Sequence, residues 1–156
     1  MHVRVALFLI VSSCLPAMAQ APVVCPWLST GSAEVALGGD VTVTAHSEDN
    51  WHGECHFTRQ TGGPAQTLDI RVSKVKSHPC PDGSAKLTAL GNEAVQCSPS
   101  ERTDTIAGRV RDAWFDVTIT GVPGATRETP SNTRRSDPYG ATMLERLAEQ
   151  VAGNLY

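Results

Sequence analysis

The chain has 156 residues, 13 Lys/Arg against 16 Asp/Glu and a formal net charge of −3. That length suits one domain with a core of its own, and a mildly acidic, mixed surface argues against nucleic acid, whose phosphates call for a basic face. Aromatic side chains are only 5 % of the total, so aliphatic residues and alanine must carry the burial.

The chain opens like an export signal. Arg4 precedes the apolar run Val5–Val11, which is far shorter than the roughly 20 apolar residues that span a bilayer. Pro16 breaks the run, and Ala17–Ala19 places small side chains at the −3 and −1 positions of a cleavage after Ala19. The alternative is a lipobox in "VSSC", Val11–Cys14, which would leave Cys14 as a lipidated first residue after a very short apolar core. Residues 1–19 are therefore expected to be a signal peptide and 20–156 a single domain, secreted or periplasmic. A membrane contact is expected only if Cys14 carries lipid.

Beyond Cys14 four cysteines remain: Cys25, Cys55, Cys80 and Cys97. An even count in an exported chain reads as two disulfides. Of the three connectivities, the expected one joins sequential neighbours, Cys25–Cys55 and Cys80–Cys97. The cysteines are too scattered for a structural zinc site, which favours closely spaced pairs.

In chain order, residues 25–39, "CPWLSTGSAEVALGG", predict a short helix. Ser29 or Thr30 caps it, Gly38-Gly39 stops it, and Leu28, Val35, Ala36 and Leu37 form its apolar side. "DVTVTAHS" and "ECHFTRQ" alternate as half-buried strands around a polar turn. "TGGP" is a hairpin loop, and "QTLDIRVSKV" is the plainest strand, with Leu68, Ile70 and Val72 on one face and Asp69, Arg71 and Ser73 on the other. "KSHPCPDGSA" reads as a loop, and "KLTALGNEAVQC" as one strand interrupted at Gly91. Residues 106–120 form two strands about a turn near Arg111-Asp112. Residues 121–137, rich in Gly, Pro, Ser, Thr and Arg, predict a mobile loop. The chain closes in an amphipathic helix with a stripe of Leu144, Leu147, Ala148, Val151 and Leu155, with Asp137 as N-cap and Pro138 in the first turn. The expected fold class is α+β: an antiparallel sheet of about five to six strands, with the short N-terminal helix and the C-terminal helix packed on it.

"CPWLSTGSAEVALGG", "GECHF", "LDIRV", "LGNEAVQC", "GRVRDAWFDVTIT" and "LAEQVAGNL", in that order, make the chain resemble a group of small exported bacterial proteins and lipoproteins with no assigned function. The resemblance implies an extracytoplasmic α+β domain, comparable to the PsbP-like sandwich, and brings no catalytic residue with it. Its departure is the short apolar core before Cys14.

Few residues suggest chemistry. His46, His52 and His56 lie beside Glu48, Asp49 and Glu54, the raw material of a metal or hydrolytic site, but their spacing follows no ligand pattern and a polar turn explains them. There is no G-x-S-x-G elbow, "LGGD" lacks the lysine of a phosphate loop, and Glu93 could act as a lone acid or base, against the plainer reading that it bonds locally. Arg109, Arg111 and Trp114 could form a cation–π patch for an anionic or sugar-like ligand, against the plainer reading of a wet strand face. Arg127, Arg134 and Arg135 make the 121–137 segment locally basic, and His78 falls in the loop by Cys80. The expectation is an exported, non-enzymatic binding or structural module, with no cofactor and an unknown protein or small-molecule partner. Its rivals are a small secreted hydrolase built on the histidine cluster and a lipid-anchored envelope accessory protein.

Overall fold

The computed structural model describes residues 23–60, 63–77, 79–121 and 142–156. The predicted signal or lipobox (including Cys14), the predicted 121–137 loop beyond Gly121, His78, and the expected cap at Asp137 and Pro138 lie outside those residues. The described residues form a mixed α+β domain: α1 (Thr30–Leu37), β1 (Val41–Asp49), β2 (His52–Arg59), β3 (Thr67–Ser73), β4 (Ala85–Leu87), β5 (Glu93–Ser100), β6 (Thr103–Val110), β7 (Ala113–Thr120) and α2 (Met143–Gly153). Among them no helix is long and apolar enough to cross a membrane.

The sheet has seven strands in the order β1-β2-β3-β7-β6-β5-β4, with every neighbouring pair antiparallel. This corrects the expected five to six. "KLTALGNEAVQC" is not one interrupted strand but parts of two, because Ala89 (φ 72°) and Gly91 (φ 65°) both take left-handed backbone between β4 and β5. At Gly91 a side chain would press within 2.5 Å of the Arg109 carbonyl, so glycine is needed for contact as well as for conformation.

One face of the sheet is apolar. Phe57, Leu68, Ile70, Val72, Ile106, Phe115, Val117 and Ile119 are all 0–1 % exposed, as the alternation in β2, β3 and β7 dictates. Both helices pack there, α1 over β1–β3 and α2 over β6–β7. Helix α1 begins at Thr30, with Ser29 capping it by accepting from the Ser32 amide, and ends at left-handed Gly38. Its apolar side is Ala33, Ala36 and Leu37, not Val35, which is 81 % exposed. Leu28 and Trp27 are buried too, but from the segment ahead of the helix. Trp27 is pinned at both ends: its indole Nε1 donates to the Asn50 carbonyl at 3.0 Å, and its own carbonyl accepts from Asn154 Nδ2 at 2.9 Å.

Helix α2 starts later than expected. Thr142 is its N-cap and closes a capping box with Glu145, contributing about 1 kcal/mol. Its buried side is Leu144, Leu147, Ala148, Val151 and Ala152, with Leu155 buried just beyond the helix.

Two disulfides staple the layers. Cys25–Cys55 ties the segment before α1 to β2, and Cys80–Cys97 ties the β3–β4 connection to β5. Such pairs fit folding in an oxidising compartment.

Candidate functional site

The connection from β3 to β4 determines where a site can form. It leaves the middle of the sheet and must reach the far edge, so it crosses β7, β6 and β5 on the face opposite the helices. Residues 74–77 and 79–84 therefore strap half of that outer face, held by Cys80–Cys97 and by Ser77, whose hydroxyl lies 2.7 and 2.6 Å from the two carboxylate oxygens of Asp116. No described residue covers the outer face of β1–β3.

Between strap and open half lies a cleft of about 430 Å³, with Pro79 on one wall and the strands β1, β2, β3 and β7 as its floor. Strand register arranges its polar groups in two cross-strand rows. One runs His46, Glu54, Arg71, Asp116, and the other Thr44, His56, Asp69, Thr118. Four strands supply each row, because residues directly opposite one another in adjacent antiparallel strands share a face.

In the second row His56 is fully engaged. Its Nδ1 bonds the Asp69 carboxylate, and its Nε2 lies 3.0 Å from the Thr58 hydroxyl. The carboxylate at Nδ1 calls for a proton there, and the Thr58 hydroxyl, which can both donate and accept, satisfies Nε2. The first row is different. The side chains of His46, Glu54 and Arg71 make no hydrogen bond or ion pair with any described residue. Asp116, 7 % exposed, closes that row against the strap.

Burial pushes the Asp116 carboxyl above its ordinary value, while the Ser77 hydroxyl and the positive charge of Arg71 pull it back. A carboxyl raised in the folded state stabilises the fold below its unfolded pKa, and that stability is lost as pH rises through the folded value. Asp116→Asn keeps an acceptor for Ser77 and removes the buried charge. The variant is expected to melt above the parent at neutral pH, and the gap should close as the pH falls below the ordinary aspartate value of about 3.9. Melting curves of both proteins across that range check it; a variant that melts below the parent at neutral pH would show that the charge itself is needed.

The three histidines of the 46–56 segment do not converge. His52 turns to Glu48 at 2.8 Å at the β1–β2 hairpin, an exposed pair that contributes little to stability; His56 turns to Asp69, and His46 faces Glu54 across the strands. Among the described residues no group of three His, Cys, Asp or Glu side chains could hold a metal ion.

The Arg109, Arg111 and Trp114 patch is brought together in part. Arg109 stands opposite Trp114, with its guanidinium 5.6 Å from the ring centre and its Nε 2.8 Å from Glu93. Lys76 from the strap approaches the same ring at 4.8 Å. Arg111 turns away: it takes left-handed backbone (φ 55°), donates its amide to Asn92 Oδ1, and sets its guanidinium over Tyr156. Trp114 and Lys76 line a second cavity of about 250 Å³ beneath the strap, floored by Val95, Ala107 and Gly108. Glu93 thus bonds locally, as its plainer reading has it, to Arg109 on the neighbouring strand.

Sequence reasoning placed Arg71 only as one of a wet row and did not single out Ser77 or Asp116. A faint signal existed for Asp116, a carboxylate amid the bulky apolar residues of β7. No family model matches the chain, and no curated protein or solved structure matches it either, so the site rests on its own chemistry.

Proposed function

We propose that this chain is an exported, non-enzymatic binding module whose ligand seats in the outer-face cleft. The observation that carries the reading is the concentration of uncommitted polar groups, His46, Glu54 and Arg71, in a cleft of the size that small ligands occupy. The hydrolase reading is less well supported. His56 has an Asp69–His56–Thr58 chain resembling a relay, but it lies within paired strands whose backbone N–H groups serve the sheet, and a nucleophile without oxyanion donors lacks the largest source of transition-state stabilisation.

Titrating the ¹⁵N-labelled, disulfide-intact domain with a library of small polar compounds tests the reading. At least one compound should shift the amides of His46, Glu54 and Arg71 together. Binders that shift only the cavity around Trp114, or no binder at all, would overturn it. Intact mass of the protein from its own cells decides the export form: a start at Gln20 means a free domain, and an acylated start at Cys14 means an anchored one.

A further inference from the structure

Glu54 and Arg71 stand directly opposite each other on β2 and β3. Facing positions in an antiparallel pair lie about 5 Å apart at Cβ, and opposite charges there ordinarily attract. Here the two side chains form no ion pair with each other or with any other described residue. Both line the outer-face cleft, and both also border the adjoining hollow of about 210 Å³ beside His46 and His52. The remaining carboxylates of the cleft are engaged, Asp69 by His56 and Asp116 by the Ser77 hydroxyl and, without an ion pair, by the charge of Arg71 on the facing strand.

We propose that the cleft binds a zwitterion, a free α-amino acid, with its carboxylate on the Arg71 guanidinium and its ammonium on the Glu54 carboxylate. The inference rests on the reading of this cleft as the ligand seat. A ligand with only negative charge meets Glu54, Asp69 and Asp116 along with Arg71. A ligand with only positive charge meets Arg71. A molecule carrying both charged groups on one carbon gives each of these two unpaired side chains a partner at once. The guanidinium fork matches a carboxylate through two parallel N–H···O bonds, and an ammonium offers three donors to Glu54. The ligand side chain then points along the floor toward Thr44, Thr118 and Pro79, where the cleft has room beyond the backbone of one amino acid.

The test uses the same labelled domain, titrated with the twenty common L-amino acids and with D-alanine. The tightest binder is then compared with its N-acetyl and its carboxamide derivatives. Each blocked derivative should bind at least about tenfold more weakly than the free amino acid. Arg71→Ala should erase the preference for the free carboxylate, and Glu54→Gln the preference for the free ammonium. Glu54 is exposed, so Glu54→Gln should keep the parent melting temperature; Arg71→Ala withdraws a charge that favours ionised Asp116, so its binding is read well below its own melting temperature. A blocked derivative that binds within about twofold of the free amino acid would overturn the inference, as would cleft amides that no amino acid shifts. If some other polar compound still shifts those amides, the zwitterion is wrong and the cleft remains the seat. If nothing shifts them, both readings fall.

Discussion

Leu147→Asp is expected to destroy the cooperative fold. Leu147 is 4 % exposed on the side of α2 that covers β6 and β7. The substitution removes a buried leucine, worth about 2–5 kcal/mol when cut back to alanine, and adds a carboxylate that must either stay charged without a partner or take up a proton at a cost of several kcal/mol. The sum approaches the whole stability of an ordinary domain, about 5–15 kcal/mol. Gln150→Asp, on the exposed side of the same helix, should leave the melting temperature nearly unchanged. Thermal melts followed by circular dichroism compare the two, and a Leu147→Asp protein melting within a few degrees of the parent would show that α2 does not cover the sheet.

The second large effect belongs to the Cys25–Cys55 bridge. It spans 30 residues of sequence, against 17 for Cys80–Cys97. In the loop-entropy account the longer closure is worth about 4 kcal/mol and the shorter about 3. The difference should be larger in practice, because both cysteines of the longer bridge lie in the core beside Trp27 and α1, whereas the other pair holds a surface strap. Urea unfolding of the Cys25→Ala/Cys55→Ala and Cys80→Ala/Cys97→Ala proteins should therefore show the lower midpoint for the first. The reverse order would mean that the strap, not the N-terminal segment, is the more important constraint on the unfolded chain.

The local choices in this protein were legible because they have local causes. "LDIRV" and "WFDVTIT" alternate with period two and became β3 and β7 with the expected faces inward. Ser29 and Gly38 bound α1 by capping chemistry that needs only neighbouring residues. The stripe Leu144, Leu147, Ala148, Val151 is buried as its spacing requires. Some local signals were present and misread. Thr142 and Glu145 have the spacing of a capping box, which outranks a cap at Asp137, and Gly91 marks the end of a connection rather than a break within one strand.

The candidate site is a different kind of information. His46, Glu54, Arg71 and Asp116 come from four strands, and Arg71 meets Asp116 only because β7 inserts beside β3. That adjacency follows from how two antiparallel runs of strands join into one sheet, and no local pattern in either strand records it. The strap over β7, β6 and β5, the burial that raises the Asp116 carboxyl, and the contacts that hold Trp27 between Asn50 and Asn154 are consequences of the same long-range pairing. By itself the sequence determined which residues are helical, which alternate and which faces are apolar, because backbone sterics, capping and side-chain period act over a few residues. Only the tertiary structure decided which polar groups share a cleft and which of them remain unspent, because strand order and register bring together groups that are far apart along the chain.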